Sequence, residues 1–160
     1  MATWAEFAAA EPELSARAFP KPPEMFFALA YLATVRADGA PRLHPFCPIF
    51  AGGRLFAAIP STSPKGSDLR RDGRYMIHAL PGPDDAEFSV RGRAHEVADN
   101  ATRSLVWAAV DESGVGGMIE SVRHDPIFEF DIERVDAAHW EKVGEPGTYA
   151  VRQRWTPSGP

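Results

Sequence analysis

The sequence predicts a mainly β fold, a small closed barrel of six or so antiparallel strands with a few helices. Short apolar runs recur along the chain, and turn signals separate them. The 160 residues include 15 prolines and 13 glycines, and most of these lie between the runs. Strands joined by tight turns pair antiparallel, and closure of the sheet into a barrel removes its exposed edges. A chain of this length suits one core, so we expect residues 1–160 to form a single domain.

The composition argues against several classes of function. The net charge of -5 argues against non-specific nucleic-acid binding, which needs a basic surface. Cys47 is the only cysteine, so we expect neither an intrachain disulfide nor a cysteine-based zinc site. No apolar run approaches the length of a membrane span, and the N-terminal segment carries acids where a secretion signal has basic residues. The expected location is the cytoplasm, with no nucleic-acid or membrane partner.

The chain begins with a predicted helical arm over residues 3–19. Thr3 and Glu6 have the spacing of a capping box, and the apolar residues that follow have helical spacing. Pro12 would disturb this helix unless a second helix begins there. The segment "FPKPPE" then ends the arm.

Six segments with strand character follow the arm. They are "FALAYLATV", "PRLHPFCPIF", "RLFAAI", "RYMIHAL", "EFSVRGRAHEV" and "IFEFDIERV". Asp38-Gly39 and Gly52-Gly53 are hairpin signals, and "PGPDDA" is a further predicted turn. The last segment alternates, so we expect its apolar side chains to point inward and its acids, Glu129 among them, to point outward.

Two helices interrupt the strands. Ser63 and Pro64 are preferred residues at a helix start, and Gly73 suits a helix end, which predicts a short helix over 64–72. A longer helix starts at Asp99 or Asn100. We expect its apolar face to consist of Leu105, Val106, Ala109 and Val110. The segment "DESGVGGMIESVRHD" is predicted to be a loop, and residues 143–160 a C-terminal tail.

The stretch "STSPKGSDLRRD" combines hydroxyl groups and a lysine at the start of the short helix. Backbone N–H groups and the positive end of the helix dipole converge there. Ser61, Thr62, Ser63 and Lys65 could therefore hold a phosphate or a carboxylate. The alternative is a well-capped surface helix with a solvated lysine.

The region from about residue 29 to 99 resembles the pyridoxamine 5'-phosphate oxidase-like split-barrel family, with a weaker similarity over 126–142. The matching elements are "LATVRADGAPRLHP", the hairpin "GGRLF", S-x-K entering "LRRDGR", and "VRGRA". The resemblance implies a six-stranded Greek-key split barrel. It also implies a homodimer that holds FMN, or alternatively the 5-deazaflavin coenzyme, in clefts between the subunits.

The resemblance further implies the positions of the cofactor-binding residues. Four consecutive residues would line the flavin ring and phosphate: Arg42, Leu43, His44 and Pro45. Ala58 and Ile59 would lie beside the ring. The phosphate would be clamped by Ser61, Thr62, Ser63 and Lys65, in agreement with the helix-cap argument. Trp140 would reach the partner's cofactor.

Two positions depart from the family pattern. Pro64 stands where a basic residue often precedes the lysine, and Cys47 stands where a second lysine often follows on the strand. A deazaflavin has a longer anionic tail and would need a basic groove, which Arg70, Arg71 and Arg74 could supply. Haem binding occurs in relatives of this fold, but no single histidine can be assigned as its ligand.

The resulting hypothesis is a flavin-dependent oxidoreductase acting on a small-molecule redox substrate. No nucleophile–base pair, carboxylate dyad or metal site is recognisable, which suits an enzyme whose cofactor carries the chemistry. Three alternatives stay open: a deazaflavin-dependent reductase, a non-catalytic flavin- or haem-binding protein, and a barrel that has lost its ligand.

Overall fold

A computed structural model describes residues 1–20, 27–81, 85–114 and 116–158. The predicted helix-ending segment "FPKPPE" and the predicted turn "PGPDDA" fall partly outside these residues. The described chain is mainly β, with a curled antiparallel sheet and four α-helices. No helix among the described residues is long and apolar enough to cross a membrane.

The N-terminal arm consists of two short helices, α1 (Trp4–Ala10) and α2 (Pro12–Arg17). The capping box is present: the Thr3 hydroxyl accepts from the backbone N–H of Glu6, and the Glu6 carboxylate accepts from the backbone N–H of Thr3. Pro12 stands at the start of α2, where its missing N–H costs no hydrogen bond. The arm therefore continues past the proline as a second helix.

The sheet contains eight strands where six were expected. They are β1 (Ala30–Val35), β2 (Pro41–Phe46), β3 (Ile49–Ala51), β4 (Arg54–Ala58), β5 (Arg74–Ala79), β6 (Glu87–Glu96), β7 (Ile127–Glu141) and β8 (Tyr149–Trp155). Their order is β2-β1-β5-β6-β7-β4-β3, and β8 pairs with β7. The single predicted strand around Pro48 is divided into β2 and β3, because proline cannot donate to a ladder. The predicted tail contains β8.

The strand β7 curls the sheet because it pairs with three neighbours. Its first residues pair with β4, its last residues pair with β8, and β6 pairs along most of its length. Both predicted hairpin turns are confirmed: β1 pairs with β2 and β3 pairs with β4. Gly39, Gly52 and Gly53 all adopt positive φ, which glycine accepts without steric cost.

Two apolar clusters form the core. The larger cluster fills the inside of the curled sheet, with Leu32, Ile77 and Phe130 almost completely buried. The smaller cluster lies under α4 (Asn100–Glu112), where Phe56 and Trp107 pack together with their neighbours. Asp99 caps this helix by accepting from the backbone N–H of Thr102.

Three sequence expectations near α4 are wrong. Leu105 is 40% exposed, so it lies at the edge of the helix's buried face. Glu129 is only 8% exposed, because it lies on the face that α4 partly covers and pairs with Arg54 there. The predicted loop is largely helical: α4 extends to Glu112, and a 3₁₀ helix spans Gly116–Val122.

Candidate functional site

The helix α3 (Pro64–Arg71) begins directly after the turn that follows β4 and lies beside the edge strand β2. Ser63 is its N-cap residue in extended conformation, as predicted, but its hydroxyl makes no capping hydrogen bond. The Ser63 hydroxyl and the first turn of α3 therefore keep donor groups for a ligand. We refer to the region where the inner face of β2 meets the start of α3 as the crevice.

Asp68 attaches α3 to the sheet. It is 3% exposed and accepts hydrogen bonds from the Thr34 hydroxyl at 3.0 Å and from Nε of Arg42 at 2.7 Å. Arg71 donates to its other carboxylate oxygen at 3.1 Å. Burial raises the pKa of Asp68, but the hydrogen bonds from Arg42, Thr34 and Arg71 outweigh burial and hold this pKa below its ordinary value. Asp68 is therefore ionised at neutral pH and closes one end of the crevice.

Lys65 and His44 lie at the other end of the crevice. The Lys65 ammonium donates to the backbone carbonyl of Pro45 at 3.4 Å. Burial lowers the pKa of Lys65, because the charged form is partly removed from water. Within the described part of the chain, Lys65 forms no salt bridge with a carboxylate.

The imidazole of His44 is unusual because its Nε2 is buried and has no hydrogen-bond partner among the described residues. Burial lowers the pKa of His44, and the charges of Lys65 and Arg42 lower it further, while Asp68 opposes them. His44 is therefore neutral at pH 7 and lies within electrostatic range of all three charged groups. A buried donor or acceptor without a partner is costly, so the crevice is suited to a polar ligand.

The residues predicted to clamp a phosphate lie in different environments. Ser61 and Thr62 lie in the exposed turn before α3, and Ser63 and Lys65 are partly buried. Arg42 faces α3 as expected, but its guanidinium is held by Asp68. Asp68 is not among the residues predicted for the site; its position one helical turn after Lys65, on the same side of α3, was the available signal.

Ala58 and Ile59 do not offer side chains to a ligand. Ile59 is fully buried, its backbone N–H donates to the Pro126 carbonyl at 2.9 Å, and its methyl group packs near Gly66. Ala58 packs toward the apolar cluster under α4. The expectation that Ile59 lies beside a cofactor ring is not met by its side chain, because the side chain forms part of the core beneath α3.

Leu43 and Pro45 point away from the crevice, since side chains alternate along β2. Leu43 is 62% exposed, and its register partner Ala33 lies opposite Met76, which is also exposed. Tyr31, opposite Pro45, extends the same surface. We call these side chains of β1, β2 and β5 the outer apolar face.

Trp140 lies near the end of the 15-residue strand β7, 44% exposed and paired with Ala150. The crevice lies near the beginning of β7, where Pro126 bonds to Ile59. Trp140 therefore lies far along the strand from the crevice of its own chain. Its predicted role requires a second copy of the chain.

Each of the three arginines expected to form a basic groove makes an ion pair, and Arg71 shares the single charge of Asp68 with Arg42. Arg70 pairs with Glu96 at 2.5 Å, and Arg74 pairs with Asp72 at 2.6 Å. Arg71 bonds to Asp68 and to the Val35 carbonyl. A groove of about 380 Å³ lies beside this region, with the Arg42–Asp68 pair in its wall. The long anionic tail of a deazaflavin would meet no unpaired cation among these arginines.

Among the described residues, Cys47 and the remaining histidines do not form a further candidate site. Cys47 is half-buried, and burial raises the pKa of its thiol, which leaves it protonated and unreactive at neutral pH. Over residues 1–20, 27–81, 85–114 and 116–158, no group of three or more histidine, cysteine, aspartate or glutamate residues is arranged to hold a metal ion.

No model of a known protein family and no curated protein matches this sequence. Solved structures do match the fold. The conserved hypothetical protein Rv2991 from Mycobacterium tuberculosis is similar with a TM-score of 0.61 at 22% sequence identity, over 74% of this chain and 81% of that chain. A Clostridium acetobutylicum protein related to general stress protein 26 of B. subtilis, of the pyridoxinephosphate oxidase family, has a TM-score of 0.60 at 11% identity, over 92% and 95% of the two chains.

A third similar structure is HutZ, the heme storage protein from Vibrio cholerae, with a TM-score of 0.58 at 18% identity, over 66% of this chain and 81% of that chain. The resemblance found in the sequence is therefore confirmed at the level of the fold: the chain has a curled antiparallel sheet similar to that of pyridoxinephosphate oxidase family proteins. Identities of 22% and below establish the fold alone.

Proposed function

We propose that this protein binds a flavin-type cofactor, FMN in the first place, through its phosphate in the crevice, and that it acts as an oxidoreductase. The proposal rests on the observation that Lys65 is a partly buried cation without a carboxylate partner among the described residues. Holding a charge in a partly desolvated place is unfavourable unless an opposite charge joins it. An anion in the crevice would remove this cost.

The chemistry of the crevice fits a phosphate. Lys65 supplies the charge, and the unused hydroxyl of Ser63 and the start of α3 supply donors. The partnerless Nε2 of His44 supplies a further polar contact. In this proposal Lys65, Ser63 and His44 hold the phosphate. The flavin ring supplies hydride transfer when it is bound, and the protein supplies binding and orientation.

The outer apolar face supports the proposed homodimer. Tyr31, Leu43 and Met76 are 41%, 62% and 43% exposed on adjacent strands. Contiguous exposed apolar side chains of this kind mark interaction surfaces. A second copy of the chain would cover them.

A non-catalytic haem-binding protein is the second candidate. Two proteins of similar structure are HutZ, the heme storage protein from Vibrio cholerae, and a heme binding protein from Mycobacterium smegmatis. A haem propionate is an anion that Lys65 could bind equally well. The deazaflavin is less favoured, because Arg70, Arg71 and Arg74 are paired with acids or backbone.

The test is a titration of the purified protein with FMN, riboflavin and haem, followed by visible absorption. FMN binding that is tighter than riboflavin binding supports the proposal. Lys65→Ala should weaken FMN binding by about 1–3 kcal/mol, the range for a charge-assisted contact, and leave riboflavin binding nearly unchanged. Binding of haem alone, with a sharp Soret band, would favour the second candidate.

The matched control is Lys142→Asn. Lys142 is an exposed lysine with a φ of 56°, a conformation that asparagine tolerates well. This variant also removes one lysine charge but should bind FMN like the wild type. If Lys65→Ala behaved like this control, Lys65 would have no part in phosphate binding.

A further inference from the structure

The crevice has a two-by-two arrangement of polar groups. β2 contributes Arg42 and His44, two residues apart and on the same face of the strand. α3 contributes Lys65 and Asp68, three residues apart and on the same side of the helix. Arg42 is paired with Asp68, whereas among the described residues Lys65 has no carboxylate partner and Nε2 of His44 has no hydrogen-bond partner. One end of the crevice is therefore closed by an ion pair, and the other end is open.

The ion pair between Arg42 and Asp68 reduces the positive charge that is available to a ligand. Arg42 is a cation on the inner face of β2, and its influence on His44 places it within electrostatic range of the open end. Its Nε is nevertheless engaged by a carboxylate that is 3% exposed and also holds Thr34 and Arg71. A hydrogen-bonded, buried carboxylate is a strong competitor for a guanidinium.

We propose that Asp68 is a specificity-determining residue of the crevice: it holds Arg42 away from the ligand, so that Lys65, which has no carboxylate partner among the described residues, is the cation that binds a phosphate. This inference rests on the proposed function, because it concerns the phosphate that Lys65 is proposed to hold. It assigns Asp68 the role of limiting how much the phosphate contributes to cofactor affinity. The phosphate contribution is measured as the ratio of the riboflavin Kd to the FMN Kd.

Asp68→Asn is the informative variant. Asparagine has nearly the same shape and can still accept the hydrogen bond from Thr34, but it no longer neutralises Arg42. The released guanidinium can then join Lys65 on the phosphate. We expect the riboflavin-to-FMN ratio to rise on the order of tenfold, the effect of one additional charge-assisted contact.

Asp72→Asn is the charge-matched control. Asp72 lies just beyond the other end of α3 and pairs with Arg74 at the surface. The variant also removes one negative charge from α3, so it reproduces any general electrostatic effect. Its riboflavin-to-FMN ratio should equal that of the wild type within about twofold, because Asp72 pairs with Arg74 beyond the far end of α3 and does not hold Arg42.

The double variant Arg42→Gln/Asp68→Asn keeps the test decisive if Asp68→Asn alone does not fold. It replaces the ion pair with a neutral pair of similar size. If Arg42 is held by Asp68, the double variant has the wild-type ratio. If Arg42 binds the phosphate in the wild type, the ratio falls, and the inference is overturned. Thermal unfolding of each variant without ligand checks that it is folded.

The two proposals fail in different ways. An unchanged ratio in Asp68→Asn, together with a lowered ratio in Lys65→Ala, would overturn the role of Asp68 and leave the phosphate site intact. An unchanged ratio in both variants would overturn the phosphate site and, with it, the role of Asp68. A riboflavin-to-FMN ratio that is raised in Asp68→Asn and unchanged in the Asp72→Asn control supports both the phosphate site and the role of Asp68.

Discussion

Replacement of Lys65 by methionine should have opposite effects on the free protein and on its complex with FMN. Methionine keeps an unbranched side chain of similar length, and the two residues have similar helix propensities. The substitution therefore leaves α3 intact and removes the ammonium. In the free protein, the substitution removes a partly desolvated charge and one long hydrogen bond of 3.4 Å to the Pro45 carbonyl. Burial lowers the pKa of this lysine, which shows that the charge is poorly solvated.

The expected magnitudes follow from these two losses. Without ligand, loss of a poorly compensated charge should stabilise the protein by about 0.5–1 kcal/mol, within the range common for such substitutions. For a domain of this size, a gain of about 1 kcal/mol raises Tm by about 2–4 °C. With FMN, loss of the charge-assisted contact should weaken binding by about 2 kcal/mol, or about 30-fold.

Thermal unfolding with and without FMN measures both effects. At an FMN concentration of about 100 times the wild-type Kd, the wild type gains about 2.7 kcal/mol and the variant only about 0.9 kcal/mol. The order of the two Tm values should therefore reverse when FMN is added. A variant that is less stable than the wild type without FMN would refute the electrostatic argument, and equal FMN stabilisation in both would refute the site.

The stability difference between Lys65→Met and the wild type without ligand should change with pH in one direction. A lysine whose pKa is lowered by folding destabilises the folded state wherever the side chain is protonated. This penalty disappears as the pH rises toward the ordinary lysine pKa of about 10.4. The stability advantage of the methionine variant without ligand should therefore be full near neutral pH and shrink in alkaline solution.

Three further outcomes are expected. In Gly92→Ala, the new Cβ would lie 1.9 Å from the backbone oxygen of Asp131 at the β-bulge, so chemical denaturation should show a free energy of unfolding lowered by about 2–4 kcal/mol. The control Gly117→Ala has open space around the new Cβ and should change the free energy of unfolding by less than about 0.5 kcal/mol. Sulfate keeps its charge over the titration range of histidine, so its stabilisation of the protein should increase as the pH falls below the ordinary histidine pKa of about 6.5 and His44 becomes protonated; an increase that persists in His44→Gln would exclude His44. Leu43→Glu should reduce the mass in light scattering from that of a dimer to that of one 17.5 kDa chain, and a wild-type mass of one chain would already contradict the proposed dimer.

Much of the fold could be predicted because its determinants are local. The turns at Gly39 and Gly52-Gly53 depend on positive φ at glycine, and the helix α3 begins with Ser63 and Pro64 as expected. Division of the 41–50 segment into two strands was less predictable. Proline at position 48 cannot donate to a ladder, but only the pairing partners decide where a ladder ends.

The candidate site was predictable only in part. The spacing of Ser63 and Lys65 at the start of a helix indicated an anion site from residues adjacent in the sequence, and both lie there. The state of Arg42 could not be predicted in the same way. Its partner Asp68 is 26 residues away, and both residues have many possible partners in the sequence.

The sequence by itself determined the strand and turn pattern, the helix that starts at Pro64, and the presence of a lysine at that start. These features depend on backbone conformation and on side chains a few residues apart. Only the tertiary structure decided which charges are free. It pairs Arg70 with Glu96 and Arg74 with Asp72, lets Arg42 and Arg71 share Asp68, and leaves Lys65 without a carboxylate partner among the described residues. The physical reason is that a charge becomes available or unavailable through its neighbours in space, and distance along the chain does not specify those neighbours.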